Sequence, residues 1–212
     1  MTETIRCSTA DLTERARALA TRGSRTVLGL TGAPGAGKST LSAALVAALG
    51  ADTAVIVPMD GYHYANVVLE ALGRRDRKGA QDTFDAGGYV SLLRRLRSGD
   101  EEVVHAPEFR RELEEPIGSA LPVPRDVPLV ITEGNYLLLR EGPWAGLEGL
   151  VDETWYLEPG DDLRHDRLVT RHEAFGKPPA EARAWALGTD EANARLIAAH
   201  RDRADLVVQL TD

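Results

Sequence analysis

Residues Gly32-Ala33-Pro34-Gly35-Ala36-Gly37-Lys38-Ser39 fill every fixed position of the pattern G-x-x-x-x-G-K-[ST]. The flanks are of the kind the pattern needs. Residues 26–30 form a short apolar run that reads as a buried strand, and the Ala- and Leu-rich stretch 38–49 reads as a helix. Glycines let backbone N–H groups curl around phosphate oxygens, while the first turn of the helix adds unpaired amides and the positive end of its dipole. Residues 32–40, ending at Thr40, are therefore candidate nucleotide-binding residues. In this reading the Lys38 ammonium reaches the β- and γ-phosphates and the Ser39 hydroxyl coordinates Mg²⁺. Asp85-Ala86-Gly87-Gly88 matches D-x-x-G, but no lysine lies in an N-K-x-D guanine-reading sequence, so the expected nucleotide is ATP rather than GTP.

Around this loop, Leu12, Ala16 and Leu19 predict a lead-in helix within residues 1–24. Further strands are predicted at 54–57, 102–106, 120–123, 127–132, 154–157 and 206–210. Helices are predicted at about 62–72, 86–97, 161–175 and 190–203, the second of them capped by Asp85. Residues 73–83 and 107–116 read as charged loops. Buried strands alternating with helices give an α/β fold: a P-loop NTPase three-layer sandwich with a mainly parallel central sheet and a helical lid at 161–179. Residues 1–212 are expected to form a single domain. Ligands in such a sheet gather beyond the carboxyl ends of the strands, so the residues just after each strand carry the interest.

A net charge of −8 over 212 residues argues against a general nucleic-acid surface, although a small anionic ligand can still bind locally. With Cys7 as the only cysteine, no disulfide can form within the chain. No apolar run approaches the roughly 18 residues of a membrane span and no signal peptide is evident, so a cytoplasmic protein without membrane contact is expected. Only three basic residues are lysines, Lys38, Lys78 and Lys177, in a chain otherwise supplied with arginine. A retained lysine hints at a place where a compact ammonium matters. Leucine-rich faces suit a core or a homodimer interface equally.

Asp60 follows the strand at 54–57, where a carboxylate can orient an attacking hydroxyl and accept its proton; Asp60-Gly61 is also an ordinary turn dipeptide. Gly61 would permit close approach of a substrate, and Tyr62 and His63 offer hydrogen bonds or stacking. Glu133, at the end of the strand at 127–132, can hold Mg²⁺ directly or through water, or serve as a turn carboxylate. Asn135 and Tyr136 follow it on the expected substrate side. Arg164, Arg167 and Arg171 share a helix face that either swings over the phosphates, with Gly176-Lys177-Pro178 as a hinge, or stays solvated. His165 and His172 have no metal-ligand partners at suitable spacing.

At these residues the chain resembles the uridine kinase, pantothenate kinase and phosphoribulokinase superfamily. The stretches Met59-Asp60-Gly61-Tyr62-His63, Arg77-Lys78-Gly79-Ala80-Gln81-Asp82-Thr83-Phe84-Asp85 and Glu133-Gly134-Asn135-Tyr136-Leu137-Leu138-Leu139 are similar to a bacterial branch of nucleoside/nucleotide and fructose-transport-associated kinases. The resemblance implies transfer of the γ-phosphoryl group of ATP to a hydroxyl of a small molecule, with Asp60 as base, Glu133 beside the metal, and Arg167 and Arg171 as lid arginines. It also implies Lys78 and Phe84 beside the acceptor, and Asp190 and Asn193 near the nucleotide. Sugars and pantothenate-like acceptors lead; a uridine-like nucleoside comes second, and a nucleotide-binding regulatory module without transfer is the reading from another class. One departure concerns the acceptor: where relatives often carry Pro-x-Phe-Asp-Arg, this chain has Pro107-Glu108-Phe109-Arg110-Arg111, which keeps Arg111 but puts Arg110 in place of an acid.

Overall fold

The computed structural model describes residues 2–212. Its strands, in chain order, are β1 (Glu3–Cys7), β2 (Thr26–Thr31), β3 (Ala54–Pro58), β4 (Val103–Arg110), β5 (Glu115–Pro124), β6 (Leu129–Glu133), β7 (Glu153–Leu157) and β8 (Leu206–Leu210). The helices are α1 (Thr9–Ala20), α2 (Lys38–Leu49), α3 (Asn66–Ala71), α4 (Ala86–Ser98), α5 (Asp161–Ala174), α6 (Pro179–Leu187) and α7 (Thr189–Ala198). Six strands form one sheet in the order β1-β8-β7-β2-β6-β3, with every pairing parallel. β4 and β5 make a separate antiparallel hairpin.

Period-two alternation divides the core between the two faces of the sheet. Leu28 and Leu30 of β2, Leu129 and Ile131 of β6 and Trp155 of β7 pack with Leu12, Leu19, Leu41 and Leu45 of α1 and α2. Val27, Val130 and Tyr156 belong to the opposite face, with Tyr89, Leu93 and Leu96 of α4 and with Leu137 to Leu139. Because β2, β6 and β7 are buried on both faces, each reads as an unbroken buried run. The result is the α/β three-layer architecture anticipated from the sequence. Among the described residues, no helix is long and apolar enough to cross a membrane.

Side-chain caps begin α1 and α4, whereas the start of α2 has none. α1 begins with a capping box, in which the Asp11 amide donates to Ser8 Oγ and the Ser8 amide to the Asp11 carboxylate. At α4 the predicted cap is present, with Asp85 accepting from the Gly88 amide at 2.8 Å. By contrast, α2 is preceded by Gly37, which has no side chain to offer, so its first amides stay free for a ligand.

Four local expectations are corrected. The region expected to hold only a lead-in helix also contains β1, an edge strand too exposed and too polar to show an apolar run. The helix expected at 62–72 shrinks to α3, because His63 bridges Phe84 and its neighbours are bonded across: the Tyr64 amide donates to Thr83 O, and the Asp85 amide to Tyr62 O. The charged segment 107–116 is the end of the β4–β5 hairpin, its polar strands paired through Phe109 with Pro116 and Arg110 with Glu115. Beyond α5 the chain forms the unanticipated α6, and the helix expected at 190–203 ends at Ala198, followed by a short 3-10 turn at Arg201–Arg203.

Candidate active site

The phosphate loop runs from the end of β2 to the start of α2. Gly35 has φ +81°, and a Cβ there would stand 2.7 Å from the backbone oxygen of Arg164, so α5 packs where only glycine fits. Lys38 is buried, and its Nζ donates to the carbonyls of Gly32 (2.9 Å) and Ala33 (3.1 Å). Burial lowers its pKa from 10.5 to about 8, against the attraction of Glu133 and Asp60. Ser39 Oγ donates to Glu133 Oε1 at 2.7 Å. Glu133 is pushed above the usual carboxylate range, first by burial and then by Asp60.

The same desolvation thus opposes charge on both Lys38 and Glu133. An anion in the loop and a hard cation at the Ser39–Glu133 pair would each supply the missing counter-charge. That donor set suits Mg²⁺, which takes one or two protein oxygens and completes its shell with water and phosphate. Among the described residues there is no cluster of three or more His, Cys, Asp or Glu side chains able to hold a metal alone.

Lys38, Ser39 and Glu133 share a cavity of about 290 Å³ with Asp60, His63, Lys78, Phe84, Arg111, Asn135 and Arg171. Asp60 lies in the 3-10 turn Met59–Tyr62 at the carboxyl end of β3, with Arg111 Nη2 at 3.4 Å from its Oδ2. His63 donates from Nδ1 to the Asp60 carbonyl at 2.8 Å and lies between the rings of Phe84 and Phe109, with centroids at 4.0 and 4.7 Å. Burial lowers its pKa, favouring the neutral ring.

Several sequence-predicted contacts fall elsewhere. Tyr62 packs on Tyr89, ring centroids 5.4 Å apart, away from the cavity wall. Tyr136 is wholly buried behind the wall, where its hydroxyl donates to Gly79 O at 2.6 Å and holds the loop that carries Lys78. Gly61 admits protein, not ligand: a Cβ there would lie 2.3 Å from Pro107 O, so β4 closes directly on the Asp60 turn. Arg110 is exposed and pairs with Glu108 and Glu112, off the cavity. Asp190 and Asn193, expected near the nucleotide, line the same cavity as Asp60, and Asp190 is bonded to His172 at 2.7 Å.

The three arginines of α5 do not act as one face. Arg164 is buried and ion-paired with Asp161 and Glu191, tying α5 to α7. Arg171 lines the cavity with Asp60, whereas Arg167 lines a second cleft of about 490 Å³ with Ala36, Leu157, Glu158, Leu163 and the end of β8. Sequence reasoning missed Arg75, Phe109, Glu114 and Trp185 as cavity residues. A signal for Lys177 did exist, since all three lysines of the chain line this one cavity.

A family model described as "Methylmalonyl Co-A mutase-associated GTPase MeaB" matches residues 4–61, the part from β1 through the phosphate loop to the Asp60 turn. Over 177 residues the chain is 36% identical to a Schizosaccharomyces pombe protein named "Putative uridine kinase C227.14", covering 78% of this chain and 74% of that one. It is 34% identical over 192 residues to "Uncharacterized protein YggC" of Escherichia coli, covering 89% and 79%. A crystal structure from Silicibacter sp. TM1040, named "putative fructose transport system kinase", superposes with a TM-score of 0.84 at 39% identity, covering 94% of this chain and 98% of that one.

Proposed function

The chain belongs to the uridine kinase, pantothenate kinase and phosphoribulokinase superfamily of P-loop kinases, and on that premise we propose that it transfers the γ-phosphoryl group of ATP to a hydroxyl of a sugar or pantothenate-like small molecule. The carrying observation is convergence: Asp60, Lys38 and the Ser39–Glu133 pair, drawn from three different strand ends, line one cavity. Mg²⁺-bound ATP supplies the phosphoryl group and the charge that polarises it. Lys38 and the free amides of α2 bind phosphate oxygens, and Ser39 with Glu133 holds the cation.

Asp60 receives the proton of the acceptor hydroxyl as its oxygen bonds to phosphorus and the bond between phosphorus and the β–γ bridging oxygen breaks, leaving ADP and a phosphate ester. Arg171 stands on the same side and offsets charge on the group in transfer. The second cleft, across the phosphate loop beside Ala36 and Arg167, suits the nucleoside end of ATP.

An ADP-release assay over sugars, pantothenate and nucleosides tests the proposal. Asp60→Asn should abolish acceptor-dependent release while ATP binding, read by calorimetry, survives. A variant that keeps the parent's acceptor-dependent rate removes Asp60 from its role; ADP release that no acceptor accelerates favours a regulatory module.

A further inference from the structure

On the reading that Asp60 serves an acceptor hydroxyl, we infer that the acceptor is itself an anion, a small hydroxy acid or a phosphorylated sugar whose carboxylate or phosphate is bound by Arg75, Lys78 and Arg111. The cavity is unevenly charged. Its walls carry the cations Lys38, Arg75, Lys78, Arg111, Arg171 and Lys177 and the carboxylates Asp60, Glu114, Glu133 and Asp190. Lys38, Arg171, Asp60 and Glu133 belong to the reacting end. Asp190 is engaged by His172, and Lys177 sits 4.4 Å from the centroid of the Trp185 ring. What remains is Arg75, Lys78 and Arg111 against the single exposed carboxylate of Glu114, in a chain whose net charge is −8.

Among the described residues, none of these three cations is ion-paired with a carboxylate outside the reacting end. Arg75 makes no ion pair among the described residues. Lys78 Nζ donates to neutral oxygens, the Asn66 side chain at 2.8 Å and the Glu114 carbonyl, and lies 4.9 Å from the Phe109 centroid. Arg111 has one ion pair, the 3.4 Å contact with Asp60, which leaves the rest of its guanidinium fork free. Their arrangement is built rather than accidental. Lys78 joins the 73–83 loop to α3 and to the hairpin that carries Arg111, and Tyr136 and Asn193 both donate to Gly79 O beside it.

Like charges gathered in a partly desolvated wall repel, and a neutral acceptor would leave them so. A carboxylate or phosphate turns the repulsion into charge-assisted hydrogen bonds, bidentate where an arginine fork is available. Phe84, His63 and Phe109 form an aromatic surface that reaches from the Asp60 turn, where His63 bonds the Asp60 carbonyl, to Lys78, which lies over Phe109, and offers a place for the acceptor's carbon skeleton. Arg110, which stands where relatives often carry an acid, pairs with Glu108 and Glu112 and takes no part.

The test uses matched pairs that differ only in the anionic group: pantothenate and pantothenol, glycerate and glycerol, fructose 6-phosphate and fructose. ADP release is measured for each, and binding is measured by calorimetry in the presence of Mg²⁺ and a non-hydrolysable ATP analogue. At least one anionic member should be used or bound, and its neutral partner about a hundredfold more weakly. The carboxylate and phosphate pairs distinguish which anion is read.

Arg75→Gln, at an exposed side chain free of ion pairs, and Lys78→Gln should each weaken the anionic member about tenfold, leaving the KM for ATP unchanged. Anion binding without turnover upholds the anion site of Arg75, Lys78 and Arg111 and counts against the transfer reading alone. Neutral members handled as well as their anionic partners, no anionic member bound at all, or glutamine variants equal to the parent would overturn it.

Discussion

Replacing Lys38 by methionine should make the unliganded protein more stable at neutral pH, and the advantage should fade as the solution becomes alkaline. Lys38 is 8% exposed, and its pKa falls from 10.5 to about 8 on folding, chiefly through burial. That fall, at about 1.4 kcal/mol for each tenfold change in acidity, places the cost of holding the ammonium in the folded chain at about 3–4 kcal/mol. The sign follows from proton counts. Between pH 8 and 10.5 the folded chain binds fewer protons at this site than the unfolded chain, so stability rises with pH in that window. The gain is complete above 10.5 and is lost as pH falls through about 8, where folded Lys38 becomes charged.

Methionine has the same reach and no titration, so its variant lacks this slope. Urea unfolding of both proteins at pH 7 and pH 10 should show the stability difference moving by about 2–3 kcal/mol in favour of the parent at the higher pH. Other titrations cancel in the difference, apart from Glu133, which loses an attractive neighbour; repeating the pair in a Glu133→Gln background removes that contribution. The two hydrogen bonds from Nζ to loop carbonyls set an offset but not a slope over this range. A difference flat from pH 7 to pH 10 would refute the claim that the phosphate loop stores an uncompensated buried charge. The same variant should lose nucleotide binding, so stability and binding move in opposite directions.

Gly61→Ala sets a Cβ against the Pro107 backbone, which cannot rotate aside, and should cost about 1–3 kcal/mol in denaturant unfolding. Because the same turn carries Asp60, its kcat should fall by about a hundredfold, more than the stability loss alone explains. Tyr136→Phe removes the 2.6 Å bond to Gly79 O and should cost about 1 kcal/mol; steady-state kinetics should show the acceptor KM rising severalfold while the KM for ATP stays put, since only the Lys78 loop is loosened.

The sequence alone determined whatever short-range chemistry dictates: the phosphate loop between strand and helix, the layered α/β fold, the Asp85 cap and the carboxylates at strand ends. Each depends on residues within a turn or two, or on a periodicity that any window exposes. It could not show β1, whose stability as a strand comes from β8 some two hundred positions away, nor the hairpin hidden in a charged segment. Tertiary structure decided the site's division of labour. Arg164, Arg167 and Arg171 share a helix face, yet Glu191 takes the first, the cleft beside Ala36 the second and the cavity of Asp60 the third. Tyr62 and Tyr136 adjoin the motif residues but turn into the core, while Arg75 and Lys177 come from opposite halves of the chain to one cavity. Side-chain direction and partner choice depend on which distant surfaces exclude water together, and that information exists only once the chain has closed on itself.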